Sequence, residues 1–349
     1  SVLMPVYNAP VNYLREAIES VTAQLYPEWE LCIADDASPN QEVRDVLREY
    51  AQQDSRIKVV EREQNGHISE ATNSALEVAT GEYIALMDHD DKLPNDALYW
   101  VAETILANPE AALIYSDEDK ITADGATRYD PNFKSQWNPE LLLNQNCISH
   151  LGVYKTDLAK EIGGFRKGFE GAQDWDFALR FTEKVEREHI IHIPRILYHW
   201  RAIEGSTAVD GDEKPYALIA GLKAVQEHCD RMAIKAEVVE HPERHYARVK
   251  YEIPTPQPMV SMIIPTRNGL DVLSVCIDSI LEKTTYQSYE IIIVDNGSDC
   301  PDTLGYLEKL QQENSNVVVL RDDSPFNYSA LNNKAAAIAK GEILSLIHI

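Results

Sequence analysis

The sequence predicts an α/β fold, a mostly parallel sheet flanked by helices, followed by a truncated second copy of the same arrangement. Two observations predict it. Short, continuously apolar segments alternate with segments whose apolar residues recur at helical spacing, which is typical of parallel sheets buried on both faces. In addition, landmarks of the first ninety residues return 260 positions later. With 349 residues, 44% of them hydrophobic, the chain can bury a large core.

The chain begins with a predicted strand, helix and strand. Residues 2–4 and 31–34 form the two apolar runs, and between them the apolar side chains recur at helical spacing, at Leu14, Ile18, Val21 and Leu25. This is a βαβ pattern, so both strands run in the same direction. Ligands of such sheets bind at the carboxyl ends of the strands. There the sequence places Tyr7 and Asn8 after the first strand and residues 35–38 after the second.

Further elements follow in the same style. We predict strands at residues 57–60, 83–87 and 112–115, and helices over 69–79 and 174–180. Acidic residues follow two of these strands, Asp88-His89-Asp90-Asp91 after one and residues 116–119 after the other.

An internal repeat sets the domain organisation. Every landmark pair is offset by 260 positions, namely Pro5 with Pro265, Asn8 with Asn268, Asp35 with Asp295, Ser38 with Ser298, Asn73 with Asn333 and Gly81-Glu82 with Gly341-Glu342. A period this long indicates tandem domains. We predict a complete domain over residues 1–240, a linker over 241–260 containing alternating prolines, and the N-terminal part of a second domain over 261–349. The same offset carries Asp88 onto His348, so the second copy stops where its acidic turn would begin.

Composition excludes several classes of protein. A formal net charge of −25 argues against a partner that is a nucleic acid. No apolar run reaches the roughly 20 residues that span a bilayer, and no secretory signal is visible. The five cysteines form no C-x-x-C pair and are odd in number, which favours a reducing, cytoplasmic location.

The acidic turn is the strongest chemical signal. Asp88 and Asp90, with Asp91, offer hard oxygen ligands that suit Mg²⁺ or Mn²⁺, although an isolated D-x-D-D is equally compatible with a solvated turn. Asp174 has the chemistry of a general base, but an acid in a first helical turn is also an ordinary response to the helix dipole. His199 has metal-ligand chemistry, although a lone histidine is more often structural.

Taken together, these residues resemble the family 2 glycosyltransferases of the GT-A fold. The motifs follow the family's order and spacing, and they are residues 5–8, 35–38, 73–75, 81–84, 88–91 and 173–180. More narrowly, residues 115–120, Phe133-Lys134, 197–201 and Gly205-Ser206-Thr207 are similar to bacterial tandem enzymes that build O-antigen and related surface polysaccharides.

The resemblance implies a function and a set of roles. The enzyme would be inverting and metal-dependent, with Mn²⁺ or Mg²⁺ as cofactor. It would move a sugar from a UDP- or dTDP-sugar to a glycan or lipid-linked saccharide, with peripheral association with the inner membrane also implied. The implied roles are the catalytic base for Asp174, donor contacts for Pro5, Tyr7, Asp35, Asp36 and Asp88, acceptor contacts for Trp175 and Asp176, and metal ligands for Asp90, Asp88 and His199. Gln173 departs from the family, where Glu often precedes the base.

Two alternative functions belong to other classes of protein. A nucleotidyltransferase or sugar-phosphate pyrophosphorylase would usually carry a glycine-rich, basic loop after the first strand, whereas residues 5–8 contain neither glycine nor a basic residue. A catalytically silent carbohydrate-binding scaffold would not need Asp88, Asp90 and Asp174, which the first domain retains.

Overall fold

The computed structural model describes residues 1–203, 215–243 and 246–347. It divides into two compact units, Ser1–Glu252 and Ile253–Ile349. The Gly205-Ser206-Thr207 motif and the predicted counterpart of Asp88, His348, lie outside the described residues. None of the helices within the described ranges has the length and apolar character that crossing a membrane requires.

The first unit is built on one sheet with helices on both faces. Within the described residues the sheet has eight strands, β1 Val2–Val6, β2 Leu31–Asp35, β3 Ile57–Glu61, β4 Tyr83–Leu86, β5 Leu113–Ile121, β6 Arg128–Asn132, β7 Gly152–Lys155 and β8 Ile190–Arg201. Its order is β3-β2-β1-β4-β7-β5-β6, and β8 pairs with β5. The neighbours of β1 and β2 and the β5–β8 pair are parallel, while β7 is antiparallel to β4 and β5, and β6 is antiparallel to β5.

The helices of this unit cover both faces of the sheet. They are α1 Val11–Thr22, α2 Gln41–Gln53, α3 His67–Val78, α4 Ala97–Ala107, α5 Pro139–Asn144, α6 Thr156–Glu161, α7 Gln173–Thr182 and α8 Pro215–Arg231, with a 3-10 turn at Arg187–His189. The buried side chains of β1 alternate between two cores: Val2 and Met4 pack with α1, α2 and α4, and Leu3 packs with α3, α7 and α8. This alternation is why the strands are continuously apolar.

Two elements differ from the sequence-based prediction. Helix α1 ends at Thr22, so Leu25 lies beyond it and is 65% exposed. Strand β5 continues to Ile121 and therefore includes acidic residues that we predicted to follow it. Each of these acids is buried with a partner: Asp117 with His192, Glu118 with Lys134, and Asp119 with His199 and Arg128. Pairing with β6 and β8 supplies the backbone hydrogen bonds that keep this polar segment extended.

A hairpin ends the first unit. Strands β9 Ala236–Glu240 and β10 Ala247–Tyr251 pair antiparallel, so a strand occupies part of the segment that we predicted as linker. Tyr251 anchors it, because its hydroxyl donates to Glu140 of α5.

The second unit repeats the first four strands of the first. Its strands are β11 Val260–Thr266, β12 Tyr289–Asp295, β13 Val317–Arg321 and β14 Ile343–Leu346, its helices are α9 Leu270–Lys283, α10 Pro301–Glu313 and α11 Tyr328–Ile338, and its sheet order is β13-β12-β11-β14. Local contacts repeat as well. The Ser1 hydroxyl bridges Glu30 and the Gly81 amide, and the Ser261 hydroxyl bridges Glu290 and the Gly341 amide in the same way.

Candidate active site

A cavity of about 840 Å³ lies at the carboxyl ends of β1 and β4. Seven of the sequence-predicted site residues line it, namely Pro5, Tyr7, Asp36, Asp88, Asp90, Asp174 and Trp175. The volume is within the range of small-molecule sites. Asp36, Asp88 and Asp90 follow strand ends, as the carboxyl-end rule for parallel sheets predicts, while Asp174 and Trp175 reach the same cavity from helix α7.

The acidic turn after β4 is fixed by strand β8. The Tyr198 hydroxyl donates to Asp91 Oδ2 at 2.5 Å and accepts the Asp88 amide at 3.1 Å. The Arg201 amide donates to Asp91 Oδ1 at 2.7 Å, and the fully buried Arg201 side chain donates to the Asp90 carbonyl at 2.6 Å. Because Asp91 receives two donors, it is the residue that shapes the turn.

The turn concentrates negative charge in a place with little water. Burial raises the pKa of Asp90, and the neighbouring Asp88 adds to the effect. Burial also raises the pKa of Asp91 well above its ordinary value, with further contributions from Asp90 and Asp88. Carboxylates that are costly to ionise alone are favourable ligands for a cation, whose charge offsets their repulsion.

A histidine joins these carboxylates. Ligand atoms of Asp88, Asp91 and His150 lie within 4.8 Å of one another, the one such group of three found in the part of the chain that is described. The Nδ1 atom of His150 is buried and has no hydrogen-bond partner among the described residues. Two carboxylates and an imidazole with a free nitrogen fit a divalent ion such as Mn²⁺.

Asp174 lies in the first turn of α7, on the wall of the cavity. Its Oδ2 accepts a hydrogen bond of 2.7 Å from the Asn146 side chain, whose own Oδ1 accepts the Ser149 amide. Burial raises the pKa of Asp174, while the charge of His150 opposes that rise. The arrangement suits a carboxylate that accepts a proton from a bound hydroxyl.

Trp175 forms part of the cavity wall and is held rigidly. Its indole Nε1 donates to the Leu142 carbonyl at 2.7 Å. On its other side Gly221 of α8 approaches so closely that an added Cβ would lie 2.6 Å from ring atom Cζ3. The ring therefore has one position, as a sugar-stacking surface would require.

Pro5, Tyr7 and Asp36, for which the resemblance implies donor contacts, also line the cavity. Tyr7 is half exposed and free to stack. Asp36 is buried, its Oδ1 accepts from Arg62 at 2.8 Å, and both of its oxygens accept the Gly66 amide. A ligand that contacts Asp36 would therefore bind a carboxylate whose orientation is already fixed by the Arg62 guanidinium.

Three predicted site residues lie outside the residues that line the cavity. Asp35 is buried, and its Oδ1 accepts the Ser38 amide within the turn. Asp176 is fully buried between Arg166 and Arg180, so it offers no surface to an acceptor. The Nδ1 atom of His199 lies 2.5 Å from Asp119 Oδ1, within hydrogen-bond distance, and burial lowers the pKa of His199. In this structure Asp176 and His199 hold the framework through buried side-chain pairs, and neither side chain lines the cavity that was predicted to contain it.

Two site residues, Asn146 and His150, were missed by the sequence-based reasoning. They lie in the loop between α5 and β7, which has no motif spacing and no periodic pattern. Asn146 reaches Asp174 across 28 positions. The pair could be found only from the tertiary structure.

Comparison with known protein families shows to which family the chain belongs. The sequence profile of glycosyl transferase family 2 matches residues 1–163 and again residues 261–348. The chain belongs to glycosyl transferase family 2. The profile thus matches a family 2 segment in each of the two units, in agreement with their shared strand order.

Relatives of this family 2 chain include longer bacterial proteins. It is 51% identical over 349 residues to the Sinorhizobium fredii protein y4gI, and 37% identical over 348 residues to the O-antigen biosynthesis protein RfbC of Myxococcus xanthus. Essentially all of this chain is covered in both cases, but it spans only 38% and 27% of the length of those relatives.

A solved structure shares the fold. The crystal structure of S. aureus TarS 1-349 in complex with UDP-GlcNAc superimposes with a TM-score of 0.51 at 21% identity, covering 66% of this chain and 71% of that one. The GT-A-type α/β architecture that the sequence predicted is therefore confirmed.

Proposed function

We propose that the first unit is an inverting glycosyltransferase, which moves a sugar from a nucleoside-diphosphate donor to an acceptor hydroxyl in surface polysaccharide synthesis. The observation that carries the proposal is that Asp174 lines the same cavity as Asp88 and Asp90. A single displacement needs a base on one side of the sugar and charge stabilisation for the leaving group on the other.

The chain's own residues divide the work. Asp174 accepts the proton of the attacking hydroxyl while Asn146 keeps the carboxylate oriented. Trp175 provides a flat, fixed surface for a sugar ring, and Tyr7 provides a second aromatic surface at the nucleotide end. Closing such a cavity around the substrates excludes water, which otherwise competes as acceptor.

The metal proposed for this site is Mn²⁺ or Mg²⁺. Asp88, Asp91 and His150 offer the ligands, and Asp90 lies beside them on the cavity wall. When bound, the cation would offset the negative charge that develops on the departing diphosphate. The donor set of carboxylate oxygens and one imidazole nitrogen is of the type that Mn²⁺ accepts.

The substrate class is proposed from relatives and charge. RfbC is named for O-antigen biosynthesis, and the TarS structure is titled as a complex with UDP-GlcNAc, so we expect a UDP- or dTDP-sugar donor and a glycan or lipid-linked saccharide acceptor. A lipid-linked acceptor would bring the protein to the inner surface of the membrane from the cytoplasm. The net charge of −25 continues to argue against nucleic acid.

The test is a panel of UDP-, dTDP- and GDP-sugars with Mn²⁺, measuring nucleoside-diphosphate release by the wild-type chain and by Asp174→Asn. We expect Asp174→Asn to lower kcat by about 10²- to 10⁴-fold, the usual contribution of a general base, with donor affinity unchanged.

Asp157→Asn is the matched control, because Asp157 is also an acid in a first helical turn but lies outside the cavity lining. It should keep wild-type turnover. Full turnover by Asp174→Asn would remove the proposed base, and consumption of a nucleoside triphosphate with pyrophosphate release would point to a nucleotidyltransferase instead.

A further inference from the structure

A buried ion pair lies behind the cavity, between Glu118 of β5 and Lys134. The side chains are 9% and 4% exposed, and Lys134 Nζ lies 3.1 Å from Glu118 Oε2. Asn132 donates to the other carboxylate oxygen of Glu118 at 3.1 Å. Neither charged residue lines the cavity. Burying two charges carries a large desolvation cost, so a reason for the pair beyond stability is worth seeking.

The pair is directed at one loop, residues 146–150. Lys134 Nζ donates to the Ile148 carbonyl at 2.6 Å and also to the His150 carbonyl. Glu118 Oε2 accepts the His150 amide at 3.0 Å. The backbone on both sides of Ser149, which has a positive φ of 41°, is therefore held from behind by a full positive and a full negative charge.

The front of the same loop supplies the cavity. Asn146 donates to Asp174, Ser149 closes the loop onto the Asn146 side chain, and His150 faces the acidic turn. The loop belongs to no helix or strand, so its shape depends on such hydrogen bonds and on side-chain packing, including the buried Ile148 and the stacking of His150 on Tyr198. A displacement of its backbone would move Asn146 and His150 together.

We infer that Lys134, with Glu118 as its counter-charge, is a positioning residue for the reaction: it holds the 146–150 loop so that Asn146 orients the base Asp174 and His150 meets the carboxylates. The inference rests on the proposed function. It gives a role to Lys134 of the Phe133-Lys134 motif and to Glu118 of the acidic segment of β5, neither of which lines the cavity.

A purely structural role is the competing explanation, and the chain contains a matched case. Arg180 and Asp176 form another buried pair, and Arg180 donates to the Ile162 and Gly164 carbonyls just as Lys134 donates to two carbonyls. Those two carbonyls belong to residues outside the cavity lining. Arg180→Met therefore measures the effect of losing such a pair whose two carbonyl partners do not line the cavity.

The experiment compares Lys134→Met, the double variant Glu118→Gln/Lys134→Met and Arg180→Met in the full chain. Melting temperature, kcat for nucleotide-sugar turnover with Mn²⁺, and KM for the donor are measured for each. We expect Lys134→Met to lower both stability and kcat. The double variant removes the unpaired carboxylate and should recover much of the melting temperature, while kcat stays lower by on the order of 10- to 100-fold because the two carbonyls still lack their donor.

Arg180→Met should lower the melting temperature but keep kcat per folded molecule. Recovery of kcat together with stability in the double variant would overturn the inference. So would equal losses of kcat in Arg180→Met and Lys134→Met.

A second readout keeps the test decisive if one variant folds poorly. Adding Asn146→Ala to the double variant should lower kcat by less than the product of the separate effects, since both changes act on the orientation of Asp174. If the losses of kcat multiply fully, the two changes do not both act through the orientation of Asp174, and the inference is contradicted.

Hydrogen–deuterium exchange separates this inference from the proposed function. Faster exchange over residues 146–151 in the double variant, but not in Arg180→Met, supports loop positioning even without turnover. If the wild-type chain turns over no sugar in the panel, the proposed function fails. If it does and the loop exchanges at the wild-type rate in the double variant, only the positioning role fails.

Discussion

At the scale of single residues, the environment of Asp174 predicts the acid side of the pH profile. Burial raises its pKa above the ordinary value of 3.8, and a base works only when ionised. We therefore expect kcat/KM to fall on the acid side at a higher pH than an exposed aspartate would give. A profile that is flat down to the ordinary range would contradict the assignment of the base.

Asn146→Ala tests the direction in which the Asn146 hydrogen bond shifts the pKa of Asp174. The Asn146 amide donates to Asp174 and so favours the ionised carboxylate. Removing it should raise the pKa of Asp174 further and move the acid limb of kcat/KM to higher pH. Asn144→Ala is the control, because among the described residues the Asn144 side chain donates to the Glu140 carbonyl of its own helix. The acid limb of this variant should match the wild type.

The proposed metal site gives a second residue-scale prediction. We expect EDTA to abolish turnover and Mn²⁺ to restore it. His150→Ala should raise the Mn²⁺ concentration for half-maximal activity by on the order of tenfold or more, since His150 groups with Asp88 and Asp91. His199→Ala should leave that concentration unchanged in the folded protein, because His199 is engaged with Asp119. The reverse pattern would restore the sequence-based choice of His199.

At the scale of elements, the contact between α7 and α8 depends on a residue without a side chain. Gly221→Ala gains about 1 kcal/mol of helix propensity, but its methyl group would lie 2.6 Å from the Trp175 ring, which the Leu142 carbonyl holds in place. Overpacking of this kind costs about 1–3 kcal/mol. The net expectation is a loss of about 1 kcal/mol, measured by denaturant unfolding.

Gly305→Ala is the matched control. Gly305 is also helical, within α10, and an added methyl group meets nothing within 4 Å. It should raise stability by about 1 kcal/mol. Two substitutions of the same type should thus have opposite signs, and stabilisation by Gly221→Ala would show that the Trp175 ring can move aside.

The elements also show what could be predicted from the sequence. Strands β1, β2 and β3 and helix α3 were predicted within a few residues, because buried parallel strands and amphipathic helices have local patterns. Strand β5 was predicted too short, since its acidic half is extended only through partners on other elements, such as Lys134 and His192. The loop that supplies Asn146 and His150 has neither a motif spacing nor an apolar periodicity from which it could be predicted.

At the scale of the whole molecule, the differences between the two units predict a single donor-binding site. The second unit has Asn296 where the first has Asp36, and the Asn296 amide donates to the Asp322 and Ser324 carbonyls. Among the described residues, the metal-type cluster occurs only in the first unit. We expect about one equivalent of UDP-sugar to bind this chain in calorimetry with Mn²⁺, and binding of two equivalents would contradict this.

The repeat was predicted from the spacing of landmarks in the sequence. The first four strands of the two units have the same order, and each unit has the same serine bridge, with Ser1 in one and Ser261 in the other. That Asp36, Asp88 and Asp90 lie in one cavity could be predicted in part, because they follow strands whose carboxyl ends converge. The burial of Asp176 and His199 could not, since it depends on Arg166 and Asp119, which lie on other parts of the chain.

The dependence of the acidic turn on β8 has a practical consequence for engineering. Its conformation is stored more than a hundred positions away, in Tyr198 and Arg201. Consider a chimera that takes residues 88–91 from another member of the family but keeps β8 of the host. It would contain the metal-ligand side chains without the β8 residues that fix the conformation of the turn. Successful transplants of metal preference between such enzymes should therefore move both segments as a single cassette.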